Sequence, residues 1–573
     1  MRKSPVVLAL ALCMAASMSA QSEKAGAAKQ ISTSAKRTSA AAAVPAAANA
    51  SLKLVDPQRI RAHVKFLSSD LLEGRGTGQR GGNLTVEYIA TQLALNNVKP
   101  AGDRGTYLQK VPMVGLTTSP ESKFSLIPVN GQPINLSFAK DITAYDETEQ
   151  ATSDIDAEIV FVGYGIDAPE YKWNDYKDVD VKGKVLLMLV NEPPSDDPSF
   201  FKGKALTYYG RWTYKFEEAA RKGAAGALIV HKTDMASYGW NVVETSNTGE
   251  KSYLRNSGKP KLNMASWIQL AVADQIAKAA GKDINSLMEM AKSRDFRPIP
   301  MPIRMKAHII SKVRPFDSYN VLGVVPGSDP ALKEQGILYS AHWDHLGIHP
   351  DQQGDNIYNG AVDNATGIGV LLEVARAFGE NPVKPKRSIY FAAVTAEEQG
   401  LRGSEYLGLN PPIPAKNISL GLNFDGLAPI GVPEQVEVTG AERNTFYPTV
   451  QRTAKEFNLT IVPDDNPGAG YFYRSDHFSL SRVGVPAFSV NQGSKFEGKP
   501  KAYGEQFQNE YTKNDYHQPS DEFRDNWDFE GNAKMARFGV ALGWKAANMA
   551  QVVQWQPGDE FEKARKDSQQ VGR

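Results

Sequence analysis

The 573-residue chain holds a single cysteine, Cys13, so no disulfide can form within it. It also lacks an excess of either charge. Its 65 basic and 64 acidic residues leave a net charge of +1, and no long-range field draws it to nucleic acid or to an anionic membrane. No apolar run is long enough to span a bilayer. What is present, 41% hydrophobic and 23% charged residues, is the composition of a soluble globular chain of about two to four domains.

The N-terminus reads as an export signal, residues 1–20. Arg2 and Lys3 form a short basic region, Pro5 to Ala16 an apolar one, and Ser17, Ser19 and Ala20 offer small residues for cleavage. Leu12 is bulkier than lipid-linked processing at Cys13 would favour, so removal of the signal leaves no cysteine and no thiol chemistry. The expected location is the periplasm or the medium. Residues 21–50 are rich in Ala, Ser and Lys without aromatics, the pattern of a disordered tether.

Helical spacing appears at Pro57 to Leu72 and Leu84 to Leu95, with a glycine-rich loop between. Residues 51–115 are thus expected to open an α/β unit. Short alternating runs from Ser122 to Val162, a strand at Val181 to Val190, a helix at Trp212 to Lys222 and a strand at Ala227 to Val230 mark a β-rich insertion over 116–304. The α/β rhythm resumes over 305–555, and the polar residues 556–573 read as a frayed tail. Within 305–555, apolar runs at Gly336 to Ala341, Ser388 to Val394 and Ser419 to Phe424 read as buried strands, and Ala365 to Phe378 as an amphipathic helix.

Chemistry-bearing residues stand just beyond these elements: His342 and Asp344, Asp363, Glu397 and Glu398, Asp425, and further on His517. Strand ends are where an open α/β sheet collects its ligands. Taken singly, each residue has an ordinary role: His342 as a core histidine, Asp363 as a helix cap, the glutamate pair as carboxylates at a helix start, Asp425 before Gly426 as a turn residue, His517 as a loop histidine. Taken together, two histidines and three carboxylates are what two divalent ions need when one carboxylate bridges them. Consecutive side chains diverge, so Glu398 can bind metal while Glu397 stays free as a base. Asp344, two residues after His342, is placed to hold its imidazole.

The motifs His342-Trp343-Asp344-His345, Gly360 to Gly367, Ala396-Glu397-Glu398-Gln399-Gly400, Asn423-Phe424-Asp425 and Tyr516-His517 resemble those of the secreted dinuclear zinc aminopeptidases. The wider group includes glutamate carboxypeptidases, glutaminyl cyclases and the transferrin receptor. Val160 to Gly165 and Lys182 to Val185 resemble the protease-associated domain inserted in many of them. The resemblance implies a mixed, mostly parallel sheet flanked by helices, two zinc ions (cobalt or manganese as substitutes) and peptide substrates. It makes Asp363 the bridge, His342 and Asp425 one site, Glu398 and His517 the other. Glu397 becomes the general base and Asp344 the partner of His342, with Tyr516 and Arg474 steadying the substrate carbonyl. It gives His345, His349 and His477 no ligand role, His345 and His349 being taken as surface histidines, and implies a cis peptide after Asp363. An aminopeptidase is the first expectation. A carboxypeptidase or dipeptidase of the same fold, or a receptor-like binding protein, is the alternative, and the sequence sets no oligomeric state.

Overall fold

The computed structural model describes residues 46–255, 257–350, 352–464 and 467–570; the expected export signal and most of the expected tether lie outside them. The first described element is a helix, α1 (Ala46–Leu54), where the composition suggested the end of a tether. Alanine is the strongest helix former, and here packing selects the helix. Ala48 and Ser51 are fully buried. Asn381 Nδ2 donates to Ala47 O at 2.8 Å and to Ser51 Oγ at 2.8 Å, and Trp544 Nε1 donates to Ser51 Oγ at 3.1 Å.

Helix α2 (Pro57–Leu67) starts as its sequence dictates, with Asp56 Oδ1 accepting from Gln58 N at 2.9 Å and proline in the first turn. It stops at Leu67, short of the expected Leu72. Ser69 turns to extended backbone, φ −81° and ψ 151°, which breaks the helix, and Leu71 is turned 72% to solvent. Helix α3 (Arg80–Leu95) follows.

Two sheets share one strand. In chain order the main strands are β1 (Leu108–Thr118), β2 (Thr152–Phe161), β3 (Val185–Leu189), β4 (Gly226–His231), β5 (Lys251–Leu254), β6 (Met264–Gln269), β7 (Ile299–Val325), β8 (Gly336–His342), β9 (Ser388–Val394), β10 (Ile418–Asn423) and β11 (Ala487–Ser489). The first sheet runs β11-β10-β8-β9-β7, with β8 to β11 mutually parallel and β7 antiparallel to β9. β1 pairs with the C-terminal half of β7. The N-terminal half of β7 pairs with β2, which starts the second sheet, β2-β3-β4-β6, all four parallel.

The inserted stretch is rich in strands, with Lys123–Pro128 and Ile142–Tyr145 joining the second sheet antiparallel, and its parallel neighbours need a crossover, supplied between β3 and β4 by helix α4 (Trp212–Arg221). The expected boundary at 304/305 falls inside the 27-residue β7, and β5 returns from the insertion to pair with β1. A single long strand thus fixes the insertion to the first sheet.

Helix α5 (Thr366–Gly379) is buried along its whole length between α2 and α6 (Glu530–Ala547), over the strands. The mixed α/β sheet flanked by helices is the expected class. The frayed tail is not: its described part, 556–570, packs and includes helix α7 (Glu562–Gln570). Arg565 is 1% exposed and donates to Ala415 O and Ile418 O at 3.0 and 3.1 Å, and Phe561 joins Phe472, Tyr473, Phe478 and Trp555 in an aromatic cluster. Glu560 accepts from Tyr473 Oη at 2.8 Å and Arg443 Nη2 at 2.7 Å, and pairs with Lys202 Nζ of the insertion at 3.1 Å. Polar composition concealed one buried arginine and one aromatic anchor, which suffice to hold the segment. No described helix is long and apolar enough to cross a membrane.

Candidate metal centre

Five chain segments meet at the C-terminal ends of β8, β9 and β10, one of them bringing His517 from just after the helix Tyr503–Asn514. His342 is the last residue of β8, and Glu397 and Glu398 follow β9 after a sharp bend at Ala396, whose φ is 53°. Asp425 lies two residues beyond β10, and Asp363 sits in the turn before α5, its peptide to Asn364 cis as the resemblance implied. Gly360 permits that turn: its φ is 57°, and a Cβ there would stand 2.2 Å from Asp363 O and 2.5 Å from His345 Cγ.

The two oxygens of Asp363 face opposite ways. Oδ1 lies 3.2 Å from His342 Nε2, which is also 3.2 Å from Asp425 Oδ1. Oδ2 lies 3.3 Å from His517 Nε2, which is 3.0 Å from Glu398 Oε2. The five candidate ligands thus form two triads that share one aspartate. Ligand atoms of His342, Asp363 and Glu398 all fall within 4.8 Å of one another.

This donor set suits divalent cations. His517 Nε2 is buried between two carboxylate oxygens yet forms no hydrogen bond with either, so the three atoms point at a common space rather than at each other. His342 Nδ1 faces Asp344 O at 3.1 Å; a carbonyl only accepts, so this contact puts the proton on Nδ1 and frees Nε2 for a cation. The field agrees. Against a burial penalty, Glu398 and Asp363 raise His517 to about 10, while Asp425 and Glu397 lead the groups that lift His342 well above its usual value. In both triads the carboxylates favour positive charge at the imidazole, the same field that a bound cation would meet. Zinc, with imidazole and carboxylate donors, fits such a set.

Glu397 is set apart from the triads. Burial drives it well above the usual carboxylate range; His342 opposes that shift, while Glu398, Asp425 and Asp476 reinforce it. Asp344 meets both Glu397 and the His342 imidazole: its main-chain O faces His342 Nδ1 at 3.1 Å, while its Oδ1 accepts from Glu397 N at 3.1 Å and lies 3.9 Å from His342 Nδ1. Asp344 thus partners His342 more closely through its carbonyl than through its carboxylate. Tyr516 stacks on His517 with ring centroids 3.9 Å apart, and Arg474 lies over Tyr471 and over Tyr238 of the insertion at 5.6 and 5.9 Å.

Several residues escaped the sequence reading. His345, taken as a surface histidine, is 2% exposed, and its Nδ1 lies 2.7 Å from Glu398 Oε1. Ser475 Oγ donates to Asp425 Oδ2 at 2.6 Å and accepts from Asn423 Nδ2 at 2.7 Å. Each terminal carboxylate therefore keeps one oxygen for the shared space while a neighbour holds the other. His345 could have been suspected from its place in His342-Trp343-Asp344-His345; Ser475 carries no local signal. His477 is buried against Phe472, ring centroids 4.9 Å apart, outside the two triads.

Residues 320–540 match Peptidase family M28. That stretch resembles an M28 peptidase domain. A probable zinc metalloprotease of Pyrenophora teres f. teres (strain 0-1) is 28% identical over 250 residues, 41% of this chain and 50% of its own length. Carboxypeptidase Q of Xenopus laevis is 24% identical over 314 residues, 54% of this chain and 55% of its own. The chain therefore spans about half the length of the curated relatives it matches. The aminopeptidase from Aneurinibacillus sp. strain AM-1 has a similar fold, with a TM-score of 0.51 at 19% identity over 89% of this chain and 98% of that one. The matched stretch begins inside β7 and closes within α6, so it contains both triads, while α1 to α3 and the insertion precede it.

Proposed function

We propose that this M28 protein is an exported, two-metal aminopeptidase that releases N-terminal residues from short peptides. The division of the Asp363 oxygens between two triads is the observation that carries the reading. His342 and Asp425 complete one site, Glu398 and His517 the other. Divalent cations, zinc first and cobalt or manganese as substitutes, would polarise the scissile carbonyl and acidify water there.

The remaining chemistry belongs to side chains of this chain. Glu397, kept basic by burial and by neighbouring carboxylates, takes the proton of the attacking water and returns it to the departing amine. Asp344 fixes the turn that aims it. Tyr516 and Arg474 steady the carbonyl and the oxyanion that it becomes. The insertion over 116–304, assigned here to the protease-associated type, narrows the crevice and favours short peptides.

A carboxypeptidase or dipeptidase is the second reading, and one residue favours it. Arg211, at the start of α4, stands within electrostatic reach of Arg474 and Tyr516, and its buried Nε has no hydrogen-bond partner. Two guanidinium groups beside a peptide crevice suit a terminal carboxylate. One peptide offered free, N-acetylated and C-amidated separates the readings by mass spectrometry. The aminopeptidase is expected to lose all cleavage on acetylation and to tolerate amidation; the reverse pattern assigns a carboxypeptidase.

His345 supplies a further expectation. Because it holds one oxygen of Glu398, His345→Ala should weaken metal binding by about 10- to 100-fold, as loss of an outer-shell partner usually does. Competition against a chelator measures it; unchanged affinity would leave His345 a packing residue only.

A further inference from the structure

The turn that carries Asp363 is gripped from both sides by buried ions of opposite sign. Arg75 is 1% exposed, and all of its hydrogen bonds go to main-chain carbonyls. Nε donates to Trp343 O at 2.8 Å, Nη1 to Leu67 O and Asn359 O at 2.7 and 2.5 Å, and Nη2 to Gly360 O and Asp363 O at 2.8 and 3.5 Å. Asp521 takes the amides of the same turn. Its Oδ1 accepts from Val362 N at 3.0 Å, its Oδ2 from Asp363 N at 3.1 Å, and its main-chain O from Ala361 N at 2.9 Å. Tyr511 Oη donates to Oδ2 at 3.1 Å and steadies that carboxylate.

From these contacts we infer that Arg75 and Asp521 are positioning residues that hold the Asp363 turn, with its two oxygens already divided, before any metal arrives. This rests on the two-metal reading above. A flexible turn would have to be ordered at the moment of binding, and that ordering would subtract from affinity. Arginine suits the task because one planar fork presents five donors in fixed directions, which a lysine ammonium cannot reproduce. Trp343 O and Asp363 O lie among its acceptors, so one side chain ties the segment after His342 to the bridging turn. Aspartate suits the other side because two oxygens on one carbon match two consecutive amides.

The charge of Arg75 works against cations, whereas its geometry works for them, and charge-conserving variants separate the two. Arg75→Lys and Asp521→Glu keep each charge and spoil each grip. In chelator-stripped full-length protein, shown to be folded by circular dichroism, titration with Zn2+ against a fluorescent chelator should give at least about tenfold weaker binding for each variant. Excess Zn2+ should then restore kcat, with KM for peptide unchanged, a rescue that general loss of packing would not produce.

Arg75→Ala adds a sign test, because it removes the repulsive charge along with the grip. Weaker binding there shows that geometry dominates; tighter binding overturns the inference. So do folded Arg75→Lys and Asp521→Glu with the affinity of the parent, or a failure of both to fold, which would make the pair general struts of the domain. Uptake of fewer than two equivalents of Zn2+ by the parent protein would instead count against the two-metal reading itself.

Discussion

Glu397→Gln should keep its metals and lose about two to four decades of turnover, the usual yield of general acid–base catalysis. The substitution changes almost nothing but proton affinity. Its main-chain amide still meets Asp344, the bend at Ala396 is untouched, and the side chain belongs to neither triad. A carboxamide, however, has no basic oxygen to take a proton from water. Elemental analysis beside kcat at saturating peptide checks both halves. Full metal content with near-normal turnover would remove Glu397 from the mechanism, and loss of metal would make it a ligand.

Asp363→Asn should strip the protein of metal far more completely than Glu398→Gln. Each Asp363 oxygen faces a different histidine, so the carboxylate serves both triads, whereas Glu398 meets only His517 of the two ligand histidines. An amide in its place offers one weak oxygen and one NH2 group, and the NH2 side would face a ligand histidine instead of a shared cation. The negative charge that screens one cation from the other also disappears. The expected content is close to none for Asp363→Asn and about one equivalent for Glu398→Gln. Two equivalents retained in the Asp363 variant would exclude a bridging role.

What could be read from the sequence follows from how local each signal is. β9 was legible to the residue, Ser388–Val394, because a parallel strand covered on both faces is an uninterrupted apolar run. Ligand residues at the strand tips were legible because loops after such strands converge on one crevice. The rest depends on partners distant in the chain. Arg75 looked like part of a glycine-rich loop, and its acceptors extend to residue 363; Asp521 is one more polar residue after His517 until its amides are known. His345 was read as a surface residue because no local pattern says which histidine meets Glu398. The continuous β7 was missed for the same kind of reason: it pairs with both sheets, and the change of partner leaves no mark on its own residues.

Glu560 sits where the terminal segment, the Tyr473 loop and the insertion come together, one residue along the chain from Arg474 at its Tyr473 contact and one ion pair from Lys202. Evolution and protein engineering face the same constraint there. The insertion and the 556–570 segment meet through the Lys202–Glu560 pair, so exchanging one without the other breaks the three-way junction and leaves Glu560 to Arg443 and Tyr473 alone. Chimaeras between related proteins should therefore carry both pieces from the same parent, and an affinity tag belongs away from the packed 556–570 segment.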